Sequence, residues 1–132
     1  MRIGTLAAAT GTTTKTLRFY EQAGLLADPP RTPGGYRDYP ADVRDRVGFI
    51  RSAQAAGLSL AEIRDVLAIR DGGYTPCGHV TELLGRHLAD VEQRIAELDA
   101  TRAKLRELAR TASATDPATC TEGDICRILN SG

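Results

Sequence analysis

No apolar run in this 132-residue sequence approaches the ~18 residues that suggest a membrane span. The opening Met1-Arg2-Ile3-Gly4-Thr5 lacks the apolar core of a secretion signal. A soluble protein of the cytoplasm is expected, with no membrane partner. Net charge is absent too, since 17 Lys+Arg balance 17 Asp+Glu. Cysteine is scarce and odd in number, three in all, which argues against a disulfide framework. No Ser/His/Asp set, no HExxH pair and no phosphate-binding glycine loop occurs. An enzyme is therefore not expected, and a small metal-binding or thiol enzyme is the only catalytic reading left. Internal repeats and low-complexity segments are absent as well.

What is there is unevenly distributed. Residues 1–70 carry ten Lys+Arg against seven Asp+Glu, and residues 71–132 carry seven against ten. A mildly basic first half suits a polyanion. The length allows one small domain plus an extension.

The stretch from Pro76 to Arg110 has no Pro after its first residue and only Gly78 and Gly85 as glycines. Leu84, Leu88, Val91, Ile95, Leu98 and Leu105 recur in steps of four, three, four, three and seven, with Arg102 at the one polar seam position. That is the a/d seam of one long helix. A helix cannot bury such a stripe against itself. It packs on its own domain or pairs with a second copy, and pairing in a homodimer is the expectation.

Before it lies a run of shorter helices. Ile3–Ala9 reads as a helix stopped by Gly11, and Lys15–Ala23 as a second, opened by Thr12, Thr13 or Thr14 and stopped by Gly24. Helix, tight glycine turn, helix is the helix-turn-helix pattern, whose second helix enters the DNA major groove. An ordinary amphipathic hairpin is the alternative. The exposed side of the second helix is expected to carry Thr13, Thr14, Lys15, Arg18 and Tyr20. Leu17, with Phe19 or part of Tyr20, would hold it to the core.

Pro29, Pro30, Pro33, Gly34, Gly35 and Pro40 mark the next segment as turn-rich. Two short strands joined at Gly34-Gly35 would form a wing presenting Arg31, Tyr36 and Arg37. A plain surface loop is the alternative. Ala41–Ala56 reads as a third helix with Val43, Val47, Ile50 and Ala53 inward. Ser59-Leu60-Ala61-Glu62 is a capping box opening a fourth, with Leu60, Ile63, Val66 and Leu67 inward, ending near Arg70. Asp71-Gly72-Gly73 breaks the chain before Cys77 starts the long helix. Cys120 and Cys126 bracket a loop in the tail, and Arg127–Asn130 offers one helical turn. All three thiols stand beside polar or turn residues, which favours metal or redox chemistry over structural burial.

Thr16-Leu17-Arg18-Phe19-Tyr20-Glu21, Gly24-Leu25-Leu26, Gly35-Tyr36-Arg37-Asp38-Tyr39 and Ala56-Gly57-Leu58-Ser59-Leu60-Ala61-Glu62-Ile63 together resemble the MerR family of transcription regulators. The resemblance spans the chain. It implies a mainly α fold, a winged helix-turn-helix DNA-binding domain followed by a long antiparallel coiled-coil dimerisation helix. The matching boundaries are 1–71 for the DNA-binding domain, 72–111 for linker and dimerisation helix, and 112–132 for a metal-binding loop and short helix. It further implies double-stranded promoter DNA and RNA polymerase as partners, and activation by bending and untwisting the promoter spacer.

Cys77, Cys120 and Cys126 match the arrangement of the metal-sensing branch. That likeness implies an ion between Cys77 of one protomer and Cys120 with Cys126 of the other. In the family's copper(I) sensors the position of Cys77 is not a cysteine, so a divalent thiophilic ion is implied: zinc, cadmium, lead or mercury. Three thiolates suit such an ion on softness. Five residues separate Cys120 and Cys126, short for a mercury sensor, and His79 stands two residues after Cys77. His79 is thus a candidate fourth ligand for a tetrahedral zinc site, or a solvated residue of the first turn. His87 reads as surface or interface. A redox-sensing regulator of the same fold is the alternative function, although an iron–sulfur cluster usually takes four cysteines.

Overall fold

Local sequence signals account for where most helices start and stop. The structure is a computed structural model that describes residues 1–119, 123 and 125–130. The helices are α1 (Ile3–Thr10), α2 (Thr14–Gln22), α3 (Val43–Ala55), α4 (Leu60–Asp71), α5 (Cys77–Ala114) and α6 (Arg127–Asn130), with one 3-10 turn at Pro117–Thr119. The chain divides into two compact units, Met1–His87 and Leu88–Gly132.

In the first unit, α1 ends at Gly11, whose φ of 65° lies in the left-handed region that a side chain disfavours. A Cβ there would also meet the Arg51 guanidinium at 3.1 Å. Thr13 then caps α2, its Oγ1 accepting from the Thr16 amide at 3.1 Å. Ser59 and Glu62 close a full capping box on α4, at 3.1 and 2.9 Å. Gly57, at φ 91°, turns the chain between α3 and α4.

Helix α1 packs on α2 and α3, and α3 packs on α4. The core between them holds Leu6, Leu17, Leu25, Val47, Ile50 and Ile63, each fully buried. Truncating any one of these to Ala would cost about 2–5 kcal/mol, a large share of what a domain this small has. Leu83 on α5 joins the same core. It sits one residue off the seam, which is why the heptad pattern overlooks it.

Polar ties lock the helix ends. Arg64 donates twice to the Ala23 carbonyl at the end of α2, at 3.0 and 2.7 Å. Arg46 donates to the Leu25 carbonyl at 2.8 Å and holds Asp71 through both carboxylate oxygens. That pairing is the first cause of the Asp71 carboxyl lying below its ordinary range.

Two expectations need correction. Tyr20 is 3% exposed and belongs to the core, whereas Phe19 is 47% exposed. A helix brings residues three apart to one face, so Tyr20 follows Leu17 inward and Phe19 turns out. The wing is not a pair of strands. Among the described residues its ladder is a single antiparallel bridge between Arg31 and Arg37. Pro29, Pro30, Pro33 and Pro40 have no N–H to donate, so a longer ladder cannot form.

Helix α5 runs for 38 residues. Its seam side chains Leu84, Leu88, Val91, Ile95, Leu98 and Leu105 are all between 46% and 67% exposed. The stripe therefore has no cover within the described residues of one chain. In the tail, Leu129 is also exposed. No helix among the described residues is long and apolar enough to cross a membrane.

Candidate nucleic-acid interface and thiol ligands

The outward side of α2 carries Lys15 and Arg18, both exposed, with Thr14 partly covered and Thr13 exposed as the cap. Arg18 makes no hydrogen bond or ion pair among the described residues. Tyr20 leaves this face and points into the domain, where its hydroxyl donates to Gln54 Oε1 at 2.7 Å. Burial raises its phenol above the usual range, against a lesser lowering by the Arg51 charge. The hydroxyl is thus a proton donor that fixes α2 to α3.

The wing folds back beside α2. Gly35 donates to the Thr32 carbonyl at 2.8 Å, and Thr32 in turn donates to the Tyr36 carbonyl at 2.8 Å. Gly35 has φ 84°, so the tip needs its glycine. Tyr36 is exposed, and Arg31 is nearly half exposed. Arg37 is half-buried, with Nε 3.3 Å from Glu21 Oε2. Tyr39, buried two residues on, donates its hydroxyl to the other oxygen of Glu21. Burial first, then the hydrogen bond to Glu21, holds the Tyr39 phenol far above its ordinary range. Glu21 therefore joins α2 to the wing through Arg37 and Tyr39. A cleft of about 150 Å³ opens between the two, lined by Arg2, Ile3, Arg18, Arg31, Tyr36 and Arg37, with Gly35 at its edge. Cations and hydroxyls on a helix and a neighbouring loop are the groups that hold phosphates and read base edges.

The thiols are placed as follows. Cys77 is the first residue of α5 and is exposed. Cys126 is partly covered, just before α6. Cys120 lies outside the described residues. Among the described residues no three His, Cys, Asp or Glu side chains gather around one point in a single chain. His79 is half-buried, and its Nε2 is shielded from water with no hydrogen-bond partner among the described residues. An imidazole nitrogen left so is poised for a ligand or a partner group, because burial without a bond is costly. His87 does have a partner. Its Nε2 lies 2.8 and 3.1 Å from the two oxygens of Glu62, joining α5 to the first turn of α4. Glu62 sits below its ordinary carboxylate range, first through the Ser59 amide and then through His87.

Comparison with known proteins decides the family. The profile described as "MerR HTH family regulatory protein" matches residues 1–68, and that described as "MerR, DNA binding" matches residues 44–108. The chain belongs to the MerR family. Among MerR-family relatives, it is 38% identical over 108 residues to the "HTH-type transcriptional regulator ZntR homolog" of Haemophilus influenzae, covering 82% of this chain and 80% of that protein. It is 41% identical over 109 residues to the "Mercuric resistance operon regulatory protein" of Pseudomonas fluorescens, covering 82% and 74%. The crystal structure of the transcription regulator PbrR691 from Ralstonia metallidurans CH34 in complex with lead(II) superposes with a TM-score of 0.75 at 38% identity, covering 99% of this chain and 98% of that one.

Within this MerR-family fold the structure brings Arg18, Arg31, Tyr36 and Arg37 to one cleft. Arg2 joins them there, a residue that sequence reading passed over. No local pattern announces it, because its place depends on residue 1 pairing with residue 39. The Met1 nitrogen donates to the Tyr39 carbonyl at 2.6 Å, and the Tyr39 amide donates to the Met1 carbonyl at 2.7 Å.

Proposed function

We propose that this MerR-family regulator is a homodimeric, metal-responsive activator of transcription. Residues 1–71 bind double-stranded promoter DNA, 72–111 link and pair the protomers, and 112–132 complete an effector site. Thr13, Thr14, Lys15 and Arg18 face the groove from α2, while Arg31, Tyr36 and Arg37 reach the flanking backbone. Tyr20 acts only by fixing α2 in place.

The observation that carries this reading is the exposed apolar stripe of α5, which begins at Leu84, seven residues after Cys77. A stripe of six such side chains left in water calls for a second copy. Pairing of two such helices makes it possible for thiols of different protomers to share one ion. Cys77 of one protomer with Cys120 and Cys126 of the other would supply three soft ligands, and His79 is the candidate fourth. Such a donor set takes a divalent thiophilic ion: zinc, cadmium, lead or mercury. The relatives support this, since one is a mercuric resistance regulator and another was crystallised with lead(II).

Ligation can shift the dimer between two states only by binding one of them better. In this reading the favoured state bends and untwists the promoter spacer so that RNA polymerase engages both of its recognition elements. Such a protein works in the cytoplasm. The test is competitive titration of the purified apo-protein with zinc, cadmium, lead, mercury and copper(I). Uptake should release protons, since thiols must lose theirs to bind. His79→Ala should weaken zinc strongly and mercury or lead little. Preference for copper(I) over every divalent ion would overturn the assignment.

A further inference from the structure

The cleft between α2 and the wing is lined by Arg2, Arg18, Arg31 and Arg37, and no carboxylate lines it. Two of these charges have partial counter-ions. Arg37 meets Glu21 through Nε, and Arg31 lies 3.7 Å from the exposed Asp28. Among the described residues the Arg2 side chain has no hydrogen bond or ion pair. Its guanidinium lies 4.4 Å from the centre of the Tyr36 ring. Stacking on an aromatic face holds a guanidinium in place while leaving its N–H edge open. The backbone beside it is also fixed, because residues 1 and 39 exchange two hydrogen bonds. Arg2 is thus exposed, pre-oriented and aimed with three other cations at a space of about 150 Å³.

Like charges are not gathered for stability. Four guanidinium groups around one cleft repel, and the arrangement is favourable once an anion enters. We propose that Arg2 is a phosphate-binding residue, gripping a phosphodiester of the DNA backbone at this cleft with Tyr36 as its platform. The proposal rests on the reading that residues 1–71 bind promoter DNA. It adds a contact made from the segment ahead of α1 rather than from the helix-turn-helix or the wing.

The experiment uses the full chain and a duplex operator enriched from a random library by the wild-type protein. Affinity is measured by anisotropy between about 50 and about 200 mM salt. Losing one phosphate contact lowers the slope of log affinity against log salt by about 0.9 per protomer, so the gap between wild type and variant should narrow by about 3.5-fold per protomer over that range. Arg2→Ala should show this change, and Arg2→Lys should retain the wild-type slope. Arg2→Met keeps an apolar stem over Tyr36 but no charge, so it should behave as Arg2→Ala. Operators carrying one neutral methylphosphonate at a time should reveal a position that weakens wild type and leaves Arg2→Ala unaffected. Wild-type slopes in Arg2→Ala and Arg2→Met, with unchanged sensitivity at every methylphosphonate position, would overturn the proposal while leaving DNA binding intact. Failure of the wild type to enrich any operator would overturn the DNA-binding reading and this proposal with it.

Discussion

Tyr20→Phe separates a residue that supports the DNA-reading helix from one that touches DNA. The ring is buried at 3% exposure, and the hydroxyl makes one 2.7 Å bond to Gln54 on α3. Phe keeps the ring and its packing and deletes only that bond. A single net hydrogen bond is worth about 1 kcal/mol, and the partly solvated setting lets water reach Gln54, which holds the loss near that figure. For a domain of this size 1 kcal/mol lowers Tm by about 4–8 °C. The effect should be the same across neutral pH, since burial keeps the Tyr20 phenol protonated beyond its ordinary range. Thermal melts by circular dichroism read the first quantity, and operator anisotropy well below Tm reads the second. Affinity should be unchanged in the folded state. An affinity loss of about tenfold or more with an unshifted Tm would refute the core assignment and return Tyr20 to the DNA face.

Other expectations follow from the same contacts. Ser59→Ala removes the cap of α4 and should cost about 1 kcal/mol, read as a lower urea midpoint with an unchanged m-value. Glu62 has a native pKa below its ordinary 4.5, so its carboxylate stabilises the fold fully above that value and loses the contribution as pH falls through the native one. Glu62→Gln should therefore flatten the acid limb of stability against pH, and an identical limb would contradict the role of the capping box and His87. Leu88→Asp and Ile95→Asp each place a charge on the seam, and sedimentation should find monomer or unfolded chain in both. Intact dimers in both would remove α5 pairing from the account.

Features set by a few neighbouring residues were legible in the sequence. The threonines at 12–14 and Ser59 read as caps because a cap needs only the next three amides, and Thr13 and Ser59 form them. The glycine stops at Gly11 and Gly24 likewise depend on local backbone, and the long helix follows from its seam. Two misreadings had local signals against them. Tyr20 lies three residues after Leu17, and only its bond to Gln54 needs distant chain. The wing looked like two strands because Gly34-Gly35 is a good turn, yet the surrounding prolines limit its ladder to one bridge. Leu83 and His87 gained their partners only once α5 passed beside the first domain's core and α4. Arg2 has no signal of its own and is placed by residue 39. The family resemblance, by contrast, was carried by scattered motifs that the comparisons bear out.

The most direct test is transcription in vitro from the enriched operator placed in a promoter, with purified RNA polymerase, with and without added divalent ion. Wild type should activate only with the ion. Cys77→Ser, Cys120→Ser and Cys126→Ser should each bind the operator at wild-type affinity and fail to activate. Full metal-dependent activation by all three variants would contradict the account.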